Sequence, residues 1–209
     1  MDVHEVRFTT IDGLTLVGDL ALPDGAPWAG AVVAHPHPLY GGDRHNPVVG
    51  AVCAALVRAG AAVVRFDFRG VGASEGEHDN GDAERLDLAG AIELLEMTTP
   101  DMPLVAAGYS FGSLVALNVT DPRVVGWLAV APPLGRESGA PLAARDHRPK
   151  PLLVAEHDQF CPPAKAEAAS ADWPATTRTI VQMADHFLSA GLSTVADEAV
   201  AFVSRLAGR

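Results

Sequence analysis

Apolar residues in this chain fall into short runs set off by turn residues, and the spacing inside the runs changes after the first two. VHEVRFTT and LTLVGDLALP alternate apolar with polar positions, the period of a strand with one buried face. Asp12-Gly13 between them is a hairpin signal, so the chain is expected to open with an antiparallel pair. From residue 29 onward the runs are continuously apolar: AGAVVAHP (29–36), AAVVRFDF (61–68), MPLVAAGYS (102–110), VVGWLAVAPP (124–133), PLLVAEHD (151–158) and TTRTIVQM (176–183). Short runs of this kind predict strands buried on both faces. Helical periodicity fills the gaps at 47–59, 82–97, 112–119, 162–171 and about 190–206. The alternation predicts a mostly parallel, eight-stranded sheet with helices on both faces, built as one α/β domain over residues 1–209. In such sheets, sites form beyond the carboxyl ends of the strands.

Composition narrows the function classes. The chain has 209 residues, 48% of them hydrophobic, enough to bury a substantial core. Fifteen basic against twenty-six acidic residues give a net charge of -11, and the basic ones are scattered, so nucleic acid is not an expected partner. Cys53 and Cys161 fall in different predicted elements without framework spacing, and MDVHEVRFTT lacks the apolar core of a secretion signal. A reduced, cytoplasmic setting is expected. No apolar run reaches the length needed to cross a bilayer, so no membrane partner is expected either. Residues 134–150, LGRESGAPLAARDHRPK, form the one long irregular connection.

The run MPLVAAGYS leads directly into a helical pattern, and the junction spells Gly108-Tyr109-Ser110-Phe111-Gly112. A G-x-S-x-G pentapeptide alone is weak, but between a strand and a helix it meets the conditions for a nucleophile elbow. A serine hydroxyl needs a base within hydrogen-bond reach and an acid to orient that base, following it in the order serine, acid, histidine. Asp158 closes the strand PLLVAEHD, and His186 follows the last strand in QMADHFL. Of eight histidines, His4, His78 and His147 sit in polar contexts that read as surface, which makes His186 the best base. Glu156 and Glu137 stay open as alternative acids, whereas Asp185 would have to bend back sharply onto its neighbour's ring.

HPHPLYGGDRHN (35–46) at first sight offers ligands for a metal. Zinc needs three or four converging donors, and a proline between His35 and His37 favours an extended backbone that sends the two rings apart. No metal or other cofactor is expected, and His35 and His45 are read as filling polar space under the loop. RFDFRGVGASEGEHDNG (65–81) lacks the spacing of a nucleotide loop, and Asp67 and Arg69 are read as holding a loop at a strand end.

HPHPLYGG, RFDFRGVGASEGEHDNG, GYSFGS, EHDQFCPP and ADHF together resemble the α/β-hydrolase superfamily, and within it the small lidless bacterial serine hydrolases related to dienelactone hydrolases. Two departures matter. Dienelactone hydrolases use a cysteine nucleophile where this chain has Ser110, and the short 134–150 connection leaves no room for the lid domain many relatives carry. The resemblance implies an oxyanion hole with one amide from Phe111 and another from the loop after AGAVVAHP. Pro36 and Pro38 have no NH. HPHP resembles the H-G-x-P of many such hydrolases, which puts the donor at His37, with Leu39 the second choice. Tyr40, Tyr109, Leu134, Phe160 and Phe187 are expected to form an apolar rim for a small-molecule acyl substrate. The leading expectation is a serine hydrolase of carboxylesterase type acting on an ester, thioester or amide. An acyltransferase with the same residues and a non-catalytic binding protein are the competing readings.

Overall fold

The computed structural model describes residues 2–135 and 139–209. The opening hairpin is β1 (Asp2–Thr9) against β2 (Thr15–Leu22), antiparallel and in the register the Asp12-Gly13 turn requires. The parallel strands are β3 (Gly30–Ala34), β4 (Ala62–Phe66), β5 (Leu104–Tyr109), β6 (Val124–Val130), β7 (Leu152–His157) and β8 (Arg178–Asp185), and the sheet order is β1-β2-β4-β3-β5-β6-β7-β8. Among the described strands, only the β1–β2 and β2–β4 pairings are antiparallel.

Side chains of successive strand residues leave by opposite faces, and the two cores follow from that. Val32 and Ala34 of β3 join Phe66 of β4 and Trp127 of β6 on one face, against α2 (Glu84–Thr98), α3 (Phe111–Leu117) and α4 (Pro163–Ala169). Ala31 and Val33 of the same strand join the other face, against α1 (Pro47–Ala59) and α5 (Leu192–Leu206). Helix α1 starts and stops where its sequence says it should. Asn46 accepts the Val48 NH at 2.9 Å, Pro47 takes the first helical position, and Gly60 closes the helix at φ 102°. None of the described helices is long and apolar enough to cross a membrane.

The expected elements appear, with small shifts at their ends. The largest is at the end of β6, which stops at Val130 rather than at Pro133, and β8 runs to Asp185 rather than stopping at Met183. Met183 has φ 60°, a left-handed conformation, where the β7–β8 register shifts between Ala155 and His157. The bulge restarts pairing two residues later, a local event that periodicity does not report.

The connection between β6 and β7 contains, among its described residues, one 3-10 turn at Leu142–Arg145 with Ala143 and Ala144 buried. Buried Lys150 donates to the carbonyls of Asp146 and Pro174 at 2.6 and 2.7 Å, and Arg148 donates to the Asp121 carbonyl at 2.8 Å. Arg148 also lies over the ring of Trp127, 4.4 Å from its centroid. The described part of the segment is therefore tied down beside the sheet instead of rising over its carboxyl end.

Trp127 is fully buried and its indole NH donates to the Val119 carbonyl at 2.9 Å. Trp127→Ala is expected to lower the unfolding free energy by about 3–5 kcal/mol in urea titrations, the usual cost of emptying a large aromatic site.

Candidate active site

Strand β5 delivers Ser110 into a turn with φ 52° and ψ −119°, outside the regions an L-residue prefers. The strain persists because the surroundings fix it. The Ser110 NH donates to the Val130 carbonyl at 2.9 Å, and a Cβ on Gly108 would collide with the backbone of Gly112. On Gly112 it would collide with the carbonyls of Ala34 and His35 at the end of β3. The glycines are required by close approach of three backbone segments, and the serine side chain is what projects from the turn.

His186 follows β8 immediately, and its Nε2 lies 2.9 Å from Ser110 Oγ. Its Nδ1 lies 2.7 Å from Asp158 Oδ2, just beyond the end of β7. Asp158 Oδ1 accepts the amides of Phe160 and Cys161 at 2.8 and 2.9 Å. Burial pushes the Asp158 carboxyl up, but the His186 hydrogen bond and the two amides outweigh it and hold the group below the ordinary carboxylate range. An ionised Asp158 can only accept, so the proton sits on Nδ1 and the lone pair of Nε2 faces the serine.

The competing acids are placed elsewhere. Glu156 accepts the NH of Met183 at 2.7 Å, the amide the β8 bulge turns outward. Asp185 accepts the Phe187 NH at 3.1 Å. Glu137 lies outside the described residues.

The three histidines of 35–46 do separate things. His35 is fully buried, donates from Nδ1 to the Pro36 carbonyl at 2.6 Å and accepts the Phe68 NH at Nε2 at 3.0 Å, tying the loop after β3 to the loop after β4. The His37 ring packs on Tyr40, His78 and Phe111 with centroids 4.7, 4.8 and 4.9 Å away. His45 is exposed, so it does not fill space under the loop as expected.

Residues 38–40 make a 3-10 turn in which the Leu39 NH donates to His37 Nδ1 at 3.3 Å and the Tyr40 NH to the His37 carbonyl at 3.1 Å. Leu39 is therefore corrected as an oxyanion donor, because its amide is turned toward the ring of its own loop. The rim needs correction too. Tyr109 is only 4% exposed, and its OH donates to the His186 carbonyl at 2.9 Å. Leu134 is 2% exposed and belongs to the core beneath α3. Tyr40 and Phe187 stand exposed, and half-buried Phe160 meets the edge of the His186 ring at 4.6 Å.

His78 carries the feature that sequence reading missed. It was expected at the surface, yet its side chain is 8% exposed, its ring lies 5.3 Å from that of Phe111, and its Nδ1 is 2.7 Å from buried Glu84. The available signal was an acid in the first turn of the helix that follows a glycine-rich loop, and nothing local says where such a loop folds. Asp67 and Arg69 act as expected. Asp67 binds the Arg44 backbone NH and guanidinium, and Arg69 reaches buried Asp87 through its guanidinium at 2.7 and 2.9 Å.

Residues 32–145 match the family model of serine aminopeptidases, S33. An α/β serine hydrolase homologue from Coxiella burnetii superposes with a TM-score of 0.86 at 28% identity, covering 95% of this chain and 96% of that one. An α/β serine hydrolase without a lid from Xanthomonas campestris superposes with a TM-score of 0.82 at 27% identity, covering 98% and 94%. Among curated sequences, the uncharacterized protein RP471 of Rickettsia prowazekii (strain Madrid E) is 39% identical over 107 residues. That match takes in 50% of this chain and 45% of the relative, so the chain spans less than half the relative's length.

Burial lowers the pKa of His35 below the ordinary histidine value of about 6.5, despite the opposing Pro36 hydrogen bond and nearby Asp67 and Asp43. The unfolded chain then takes up a proton at a pH where the folded chain does not. The stability this neutral ring contributes is present above about pH 6.5 and is lost as pH falls through the lowered folded value. His35→Gln is expected to be less stable than the parent at pH 7 but to lose less between pH 7 and pH 5, read from urea midpoints at both pH values. Parallel losses in the two proteins would mean that His35 is not held neutral.

Proposed function

The chain belongs to the serine aminopeptidase S33 family of α/β-hydrolases, and we propose that within it this protein is a carboxylesterase working through an acyl-serine intermediate. The observation that carries the proposal is the continuous relay from Asp158 through His186 to Ser110, with links of 2.7 and 2.9 Å and the serine in a strained elbow.

In this reading Ser110 Oγ attacks the ester carbonyl carbon while His186 Nε2 takes its proton. Asp158 stabilises the imidazolium and keeps it oriented. The carbonyl oxygen becomes an oxyanion held by two amides, those of Phe111 and His37. Phe111 opens α3, so its NH has no carbonyl one turn back to bond. Collapse of the intermediate expels the alkoxide, which takes the proton back from His186, and water repeats the sequence on the acyl-serine. A thioester or amide would follow the same steps with a different leaving atom. Exposed Tyr40 and Phe187, with Phe160 against the base, offer apolar surface to a modest acyl or aromatic group at an open mouth. A small-molecule acyl substrate fits that surface, and no step calls for a metal or other cofactor.

A fluorophosphonate probe is expected to label the parent protein and leave Ser110→Ala unlabelled; equal labelling of both would place the nucleophile elsewhere. Asp158→Asn is expected to keep the fold and lower kcat on p-nitrophenyl butyrate by up to about ten-thousandfold, by analogy with the triad template. Near-parental turnover in that variant would move the acid to another carboxylate.

A further inference from the structure

One fully buried carboxylate near the site has no part in the relay. Glu84, the first residue of α2, accepts the amides of Asp79 and Gly81 at 2.9 and 2.8 Å and lies 2.7 Å from His78 Nδ1. Burying a carboxylate is costly unless its oxygens are occupied; the two amides occupy them, and the His78 ring is packed against the same group. Through His78 it adjoins a cluster of three rings. His78 lies 4.8 Å from His37 and 5.3 Å from Phe111, and those two lie 4.9 Å from each other. His37 and Phe111 are the two residues whose amides serve as oxyanion donors in the reading above.

The Phe111 amide is fixed by the elbow. The His37 amide sits at the root of a short turn whose outer residues, Leu39, Tyr40 and Gly41, are exposed. Such a turn needs a support, and the His78 ring is in contact with it. We propose that Glu84 and His78 form a positioning pair that holds the His37 side of the oxyanion hole in line with Phe111, a role that rests on the assignment of those two amides. Neither residue touches the reacting atoms. Displacement of one donor by about an ångström costs on the order of a hundredfold in rate, so small movements of the turn are enough to matter.

The test compares His78→Ala and Glu84→Gln with the parent on p-nitrophenyl butyrate, alongside inhibition by phenylboronic acid, whose tetrahedral adduct with a serine places an oxygen in the oxyanion hole. Both variants are expected to lose about tenfold to a hundredfold in kcat with KM within about twofold, and to raise the boronate Ki in step. Adding His78→Ala to His37→Ala, which keeps the backbone amide but removes the ring His78 leans on, should cost less than the two single losses combined. If His78→Ala does not fold, His78→Phe carries the comparison, because it keeps a ring but offers Glu84 no nitrogen. Parental kcat in these variants, or a lower melting temperature with an unchanged boronate Ki, overturns the pair. A parent protein that neither turns over the ester nor labels with fluorophosphonate overturns the esterase reading itself, and the pair with it.

Discussion

Three backbone segments meet so closely beneath Ser110 that no side chain fits between them. The strand that delivers the serine, the helix that leaves it and the end of β3 are in van der Waals contact at Gly108 and Gly112. That contact forces Ser110 into a left-handed conformation and projects its hydroxyl beyond the carboxyl end of the sheet. It also brings the loop after β3 beside Phe111, so the second proposed donor comes from that loop rather than from one farther along the sheet. The parallel order does the rest, because β6, β7 and β8 lie successively on the far side of β5 from β3, and β7 and β8 run on past the level of Tyr109 and Val130. Asp158 and His186 follow the ends of the last two.

Around this contact, the site is kept ordered by buried polar groups with assigned partners. Asp158 has its oxygens occupied by His186 and two amides, which is why it stays ionised although nearly enclosed. Tyr109 gives its hydroxyl to the His186 carbonyl, holding the backbone of the proposed base from the opposite core, and its phenol is pushed up to about 12, chiefly by burial and then by Asp158 and Asp185. His35, Arg69 with Asp87, and Glu84 with the amides of Asp79 and Gly81 tether the loops at the ends of β3 and β4 in the same manner. Loops carry the chemistry in this fold, and each of these loops is fastened at a buried polar bond rather than by its own sequence.

Much of this was legible in the chain. The strand and helix rhythm, the elbow and the order serine, acid, histidine all depend on local pattern or on chain order, which survive without coordinates. The errors fall where local pattern has no say. Tyr109 and Leu134 read as rim residues because they are apolar and adjoin the site in sequence, whereas strand alternation and the turn at the end of β6 send them inward. The Leu39 amide is lost to its own loop's histidine, a bond between neighbours that exists only in the turned conformation.

The sequence by itself determined the sheet, the elbow and the set of groups able to form the relay, because period, glycine placement and order along the chain express short-range sterics. Which carboxylate meets His186, that the Leu39 amide turns to the His37 ring, and that His78 is buried against Glu84 were decided by tertiary structure. Those partners are 28 residues apart for Asp158 and His186 and 76 for Ser110 and His186. Their meeting depends on where whole strands end in space, and no local preference of either residue encodes that position.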